Sequence, residues 1–442
     1  MQIRKIKPYQ YVELVCKDLV AEGVGISYFD KVGIEDEFKP LTAFIRGVLP
    51  GERFIAKVVR VKSKYLEGVL ADISELPDVW IGDSNKRNFK NINLALLEVS
   101  EDRIEPACKN FLKCGGCKLQ MINYEQQLEY KMSWLNSHFH GAKLKVEDVK
   151  TLGSPRQHHY RNHVQIHINK FKERGFYAPG TYRTIPFPPE RGCLLFNQGL
   201  MDENFPEELE LVRCARVRIN EIDNKVDISE YNSKEDKILF HDSVITYPEG
   251  SLTRVIFPTT AFFQVNTSFL PRWLEIIEQK LFLSIDISRV VEFFSGFGFI
   301  GKMLQYKRSF DCIGIDQVSK DQFDQVIWEN NLYEKQGNYE YRCADLFNED
   351  PLKPDLIKEL KSFSADAYLF NPPRAGISKG LIDKLRMENL LPRLIIYSSC
   401  NSSTFARDAN LFDSLGYKIE DVWLLDFFPQ TSHFEVVASF RL

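Results

Sequence analysis

From about residue 245 to its end, the 442-residue chain alternates short apolar strands with helical stretches, and this rhythm narrows the available folds sharply. RVVEFFSGFG reads as a strand ending in a glycine turn and DCIGID as a second strand. AYLFNPP, LIIYSSC, YKIEDVWLLDFF and FEVVASFRL follow, with helical stretches between them. Strands alternating with helices predict a doubly wound α/β sheet, because crossover helices must cover the sheet faces. Such sheets bind ligands at the carboxyl ends of their strands, so the residues there are the first candidates for chemistry.

Two other segments precede this one, in line with a length prior of roughly three domains. Residues 1–85 carry short alternating strands punctuated by Gly23, Gly25, Gly47, Pro50 and Gly51, which predicts a small β-barrel. Residues 86–240 read as α+β. They contain a cysteine cluster, a helix over about 121–138 that places Leu128, Met132 and Leu135 at helical spacing, and strand-like runs such as HVQIHINKF. The acid-rich stretch Met201–Asp236 reads as an insertion or a domain edge. The α/β segment is taken as residues 241–442. With 44% hydrophobic and 27% charged residues the composition is that of a soluble globular protein. No apolar run approaches a membrane span, and MQIRKIKPYQ lacks the apolar core of a signal peptide, so a cytoplasmic protein is expected.

A net charge of −4 means that any nucleic-acid site must be local. Between Pro155 and Ile185 lie Arg156, Arg161, Lys170, Lys172, Arg174 and Arg183 against a single acid, Glu173, interleaved with Tyr160, Phe171, Phe176, Tyr177 and Tyr182. Basic residues suit phosphates and rings suit unstacked bases, so this stretch fits RNA. A solvated strand face fits it equally well.

Three strand ends carry candidate chemistry. Gly296, Gly298 and Gly301 form a turn that lets a ligand approach the backbone, and Asp316 closes the next strand, where an acid can bond ribose hydroxyls. A dinucleotide enzyme would fit that pair too. NPPRAG then supplies a rigid loop at the end of a third strand. Cys400 follows an apolar strand as a nucleophile would, and Glu435, after His433, enters the last strand as a candidate base. A thiolate, a base and a methyl donor suffice to methylate carbon 5 of uracil. Attack at carbon 6 makes carbon 5 nucleophilic, and the base then removes its proton. Separately, Cys108, Cys114 and Cys117, with Gly115 and Gly116 between the last two, can share a metal centre, either zinc or iron–sulfur. Cys16, Cys214, Cys312 and Cys343 read as packing residues.

CKNFLKCGGC, FFQVN, EFFSGFGFIG, NPPRAG, SSCNSSTFARD and PQTSHFE occur in this order from residue 108 to 435. In them the chain resembles the RNA 5-methyluridine methyltransferase family, particularly its iron–sulfur members acting on 23S ribosomal RNA. GVLPGERFIAKVVRVK resembles the small RNA-binding barrel called TRAM, which is OB-like. The resemblance implies a Rossmann-like class I methyltransferase domain that uses S-adenosylmethionine, an RNA partner and a monomeric chain. It assigns Cys400 as nucleophile and Glu435 as proton acceptor. Gln264, Phe294, Gly296, Gly298, Asp316 and Asn371 become cofactor contacts. Cys193 becomes the fourth ligand, with Cys108, Cys114 and Cys117, of a four-iron, four-sulfur (4Fe–4S) cluster. The chain departs from the family in carrying Asn371 for its usual Asp, Asp316 for Glu, and Phe299 where Asn often stands. These departures leave room for an RNA-binding protein that has lost methyl transfer. A methyltransferase acting on transfer RNA, and one acting on exocyclic amino groups of bases, also fit part of the pattern.

Overall fold

The structure is a computed structural model that describes residues 6–29, 41–77, 94–190, 192–198, 214–219, 226–230, 240–246, 250–258, 262–283, 286–331 and 333–442. The first seven strands are β1 (Tyr11–Val15), β2 (Asp18–Val20), β3 (Val24–Phe29), β4 (Leu41–Arg46), β5 (Arg53–Val61), β6 (Tyr65–Leu70) and β7 (Leu96–Glu98). They form one sheet in the order β1-β5-β6-β4-β3-β2, with β7 paired to β5. Every second residue of β4 and β6 is buried, as in a sheet with one face on a core and the other toward water. β1 and β3 lie close together without sharing a ladder, so the sheet curls on itself.

Helix α1 (Tyr124–Gly141) begins where the Asn123 side chain accepts from the Gln126 amide. Its buried face differs from the one that apolar spacing indicates. Leu135 is buried, but Leu128 and Met132 are half-buried beside an open groove, and Gln127, Lys131, Trp134 and Phe139 point inward. The reason lies about 300 residues away in the chain. Lys131 Nζ donates to Asp426 Oδ1 at 2.7 Å, and Gln127 and Gln430 bond each other through side chain and backbone. A buried cation is tolerable when so paired. After α1 comes β8 (Val149–Leu152), which joins the C-terminal sheet, so residues 124–152 pack with that sheet although the sequence groups them with the middle segment.

β9 (His163–Ile168), β10 (Arg174–Tyr177), β11 (Thr184–Pro186), β12 (Cys214–Ile219) and β13 (Val226–Glu230) form an antiparallel sheet, β11-β10-β9-β12-β13. Tyr160, Val164, Ile166, Phe196 and Val217 make its small core, against which Cys117 and Cys193 pack. Most of the acid-rich stretch Met201–Asp236, and the expected boundary near residue 85, lie outside the described residues.

Beyond it come β14 (Phe240–Thr246), β15 (Leu252–Pro258), α2 (Leu270–Phe282), β16 (Arg289–Phe293), α3 (Phe299–Leu304), β17 (Asp311–Asp316), α4 (Lys320–Asp324), β18 (Ile327–Asn330) and β19 (Tyr339–Cys343). α5 (Pro354–Phe363), β20 (Ala367–Phe370), α6 (Lys379–Met387), β21 (Leu394–Ser399), α7 (Ser402–Ser414), β22 (Lys418–Leu425) and β23 (Glu435–Arg441) complete the chain. β14, β15 and β18 pair among themselves; the others build an eight-stranded sheet, β19-β17-β16-β20-β21-β23-β22-β8. β19 through β21 run parallel, and β23 is antiparallel to both neighbours. Every residue of β20 and β21 is buried, as parallel strands covered on both faces require. Trp134, Tyr368, Phe405 and Phe412 fill one side of the sheet, and Trp273, Ile277, Ile300 and Met303 the other. The expected α/β architecture of the C-terminal segment is therefore present. Its strand order reverses between β16 and β20, which opens a crevice at their carboxyl ends. Among the described residues no helix is long and apolar enough to cross a membrane.

Candidate active site

β16 leads into a turn with left-handed backbone at Phe294, Gly296 and Gly298 (φ +59°, +54° and +75°). Glycine adopts this conformation without strain; Phe294 does not. Asp316 closes β17 and fastens the turn by accepting from the Gly296 amide at 2.9 Å. Burial pushes its carboxyl up, and the amides of Gly296, Val318 and Gln317 oppose that. Gly298 plays a different part from Gly296. It precedes α3, outside the cleft wall, and a Cβ there would stand 2.6 Å from the Tyr339 ring. Its service is to let the turn close on Tyr339.

Asn371-Pro372-Pro373-Arg374 follows β20, and the segment after Cys400 holds this loop in place. The Arg374 carbonyl accepts from Asn401 Nδ2 and Thr404 Oγ1, each at 3.2 Å. Arg407 and Asp408 form an ion pair at 2.6 Å, and both grip the same loop. Arg407 Nη2 donates to the Ala375 carbonyl, and Asp408 Oδ2 accepts from the Ile377 amide and the Tyr397 hydroxyl. Asn401 also caps α7 by accepting from the Ser403 amide. Cys400 is thereby fixed between a fully buried strand and a capped helix.

Cys400, Glu435, Gln264, Phe294, Gly296, Asp316 and Asn371 all line one cleft of about 860 Å³. Sequence reasoning placed Arg161 only within a basic stretch and missed Trp273, Glu292 and Phe347, which line the cleft as well. Burial, then the charge of Glu435, pushes the Cys400 thiol up to about 11, while Arg374 acts in the opposite direction. Glu435 is buried and raised to about 7, opposed by the Ser398 hydroxyl, which donates to Oε1 at 2.7 Å. Burial and the cations Arg374, Lys118 and Arg161 depress His433 to about 4, so its imidazole is neutral at physiological pH.

Cys108, Cys114, Cys117 and Cys193 come together around a second, much smaller cavity of about 30 Å³, walled by Phe176, Ile185, Phe187 and Leu195. Burial raises all four thiols, Cys114 to about 11 and Cys193 to about 12. Among the described residues no group of three or more His, Cys, Asp or Glu side chains is drawn in closely enough to hold a metal ion. The cysteine loop is tied to the cleft, because the amides of Lys118 and Leu119 both donate to the Gln430 carbonyl, five residues before Glu435. Of the other cysteines, Cys16 and Cys312 are buried as packing residues should be, but Cys214 is only half-buried and Cys343, at the end of an edge strand, is exposed. In the basic and aromatic stretch, Phe171 and Tyr182 stand 70% and 90% exposed.

Comparison with known proteins follows the same lines. The tRNA (Uracil-5-)-methyltransferase family matches over residues 353–440. An uncharacterized RNA methyltransferase of Leptospira interrogans is 28% identical over 413 residues, 90% of this chain and 89% of that one. A 23S rRNA uracil-C5 methyltransferase of Vibrio campbellii is 28% identical over 455 residues, 95% of this chain and 93% of that one. The Pyrococcus abyssi tRNA (uracil-54, C5)-methyltransferase, solved with S-adenosylhomocysteine, shares the fold with a TM-score of 0.62 at 19% identity, over 97% of this chain and 100% of that one. Along nearly its whole length, then, the chain is similar to RNA methyltransferases.

Proposed function

We propose that this chain is an S-adenosylmethionine-dependent enzyme that methylates carbon 5 of uridine in RNA, with Cys400 as nucleophile and Glu435 as the base. The observation that carries this reading is the meeting of Cys400 and Glu435, from two different strands, in one cleft with the glycine turn and Asp316. The cleft suits an adenosyl group: it lies at the reversal of strand order, Asp316 stands at a strand end, and the Phe294 and Phe347 rings pair at 5.5 Å on its wall. When bound, S-adenosylmethionine supplies a sulfonium methyl group that an electron-rich carbon can accept. Gln264, Phe294, Gly296, Asp316 and Asn371 are the residues to hold it, with Gly298 shaping the turn.

Cys400 rests as a neutral thiol and loses its proton to water as the base enters, with Arg374 stabilising the thiolate. The sulfur bonds to carbon 6, and the electron pair of the carbon 5–carbon 6 bond moves toward carbon 5, which accepts the methyl group. Glu435 then takes the carbon 5 proton. The double bond re-forms, and the carbon 6–sulfur bond breaks with its pair on Cys400. Glu435 must be a carboxylate for this, so the rate rises as pH passes through about 7.

Ribosomal RNA is the favoured substrate. The N-terminal sheet, which extends past the expected boundary at residue 85 to include β7, supports a TRAM-like barrel, and the cysteine cavity supports an iron–sulfur centre within the expected segment 86–240, of which residues 124–152 pack with the methyltransferase segment 241–442. Likeness to the Vibrio enzyme covers all three. Four thiol donors around one cavity fit a 4Fe–4S cluster, whose ligands stand farther apart than those of a single ion. Bound there, it would hold the Cys117 loop and so the Gln430 segment. Incubating the protein with ribosomal RNA and S-adenosylmethionine, then digesting the RNA to nucleosides for mass spectrometry, tests the reading. 5-Methyluridine is expected; a methylated amino group or no product contradicts it.

A further inference from the structure

We propose that Ser398 is a positioning residue for Glu435: held by the Trp273 indole, it presents its hydroxyl proton to Oε1 and leaves Oε2 to take the proton from carbon 5. This rests on the carbon 5 methylation reading above. Ser398 lies in β21, two residues before Cys400, fully buried and outside the cleft wall. Trp273 Nε1 donates to Ser398 Oγ at 3.1 Å, and Ser398 Oγ donates to Glu435 Oε1 at 2.7 Å. With Glu435 as the carboxylate that the reaction needs, the direction of this relay is forced. An indole N–H can only donate, so the hydroxyl accepts from Trp273 and has a single proton left, which goes to Glu435. Trp273 is itself fixed, stacked on Phe299 at 6.3 Å and edge-on to Phe427 at 5.8 Å. The relay therefore runs from α2 through β21 to β23 and sets both the orientation of the carboxyl group and its proton affinity. A hydrogen bond to a carboxylate favours the charged form, which is the form that accepts the carbon 5 proton. The titratable groups sharing the cleft with Glu435 are Arg161, Glu292, Asp316, Arg374, Cys400 and His433.

In the step concerned, the carbon 5–hydrogen bond breaks and the proton passes to Oε2. Its electron pair becomes the carbon 5–carbon 6 double bond, and the carbon 6–sulfur pair returns to Cys400. Ribosomal RNA carrying tritium at uridine carbon 5 reads this step directly. In Ser398→Ala, tritium release at pH 7 should fall roughly tenfold, the scale of one hydrogen bond to a charged group. The acid limb of the pH profile should move up by about one pH unit. The RNA–protein adduct should accumulate while S-adenosylhomocysteine affinity, by calorimetry, stays unchanged, and Ser398→Thr should restore release. Trp273→Phe keeps the hydroxyl but frees its direction, and should give a smaller shift of the same sign. Wild-type release with a wild-type acid limb in Ser398→Ala overturns the proposal; if that variant fails to fold, the same result in Trp273→Phe overturns it. A wild-type protein that releases no tritium and forms no adduct instead overturns the parent reading, and this proposal with it.

Discussion

Cys400 and the four cysteines of the small cavity experience the same force, since burial raises every one of these thiols. What surrounds them differs. Cys400 opens on about 860 Å³ of cleft, where the charge of Glu435 raises it further and Arg374 opposes that rise. Cys117 opens on about 30 Å³, and after burial the neighbour that most raises it is another thiol, Cys193. A lone thiol with an arginine beside it can pass its proton to water and have its thiolate held by that cation. Thiols that discourage one another's ionisation stay neutral unless a positive centre is brought among them. The chemistry of a cysteine is thus read from its neighbours and the space before it.

The strongest way to break this contrast is to exchange outcomes. Cys400→Ala should cut methyl transfer on the order of 10⁴-fold or more while leaving the melting temperature unchanged. Cys117→Ala should spare Cys400 but lower the melting temperature, because the loop pinned to Gln430 loosens. If Cys117→Ala abolished chemistry without loss of stability, the two sites would not be distinct. The next largest effect concerns the polar clamp between α1 and the segment leading to Glu435. Lys131→Met leaves Asp426 buried and unpaired and should cost about 3–5 kcal/mol in urea unfolding, whereas adding Asp426→Leu should recover most of it. Arg374→Gln should slow iodoacetamide labelling of Cys400 at pH 8 roughly tenfold, because the thiol is pushed further up. In the unmodified protein, peptide mapping should show exposed Cys343 labelled first. Labelling of Cys400 should rise about tenfold per pH unit below its pKa of about 11, since only the thiolate reacts.

The parts of the site that sit at strand ends were legible in the sequence. Short motifs mark where a parallel strand stops, and the sheet itself brings those stops to one edge. Gly296, Asp316, Asn371 and Cys400 therefore converge in the cleft although they are spread over 105 positions. What the sequence concealed depends on partners far along the chain. Ser398 reads as one more residue of an apolar strand, and its role exists only because α2 brings Trp273 beside it. α1 carries an apolar stripe through Leu128 and Met132, yet it turns Lys131 and Gln127 inward because Asp426 and Gln430 await them. Local periodicity cannot report a buried ion pair between residues 295 positions apart. Cys343 departs from its expected packing role for a related reason: an edge strand leaves one flank open, and strand spacing does not say which strand is at the edge.

The central claim is a transient carbon–sulfur bond, and Glu435→Gln should preserve attack while blocking the step that releases it. Incubated with ribosomal RNA and S-adenosylmethionine, this variant should give a heat-stable shifted band on a denaturing gel, and digestion followed by mass spectrometry should find a methylated uridine on the peptide containing Cys400. A complex that dissociates on denaturation, or a nucleotide attached to any other residue, would contradict the account.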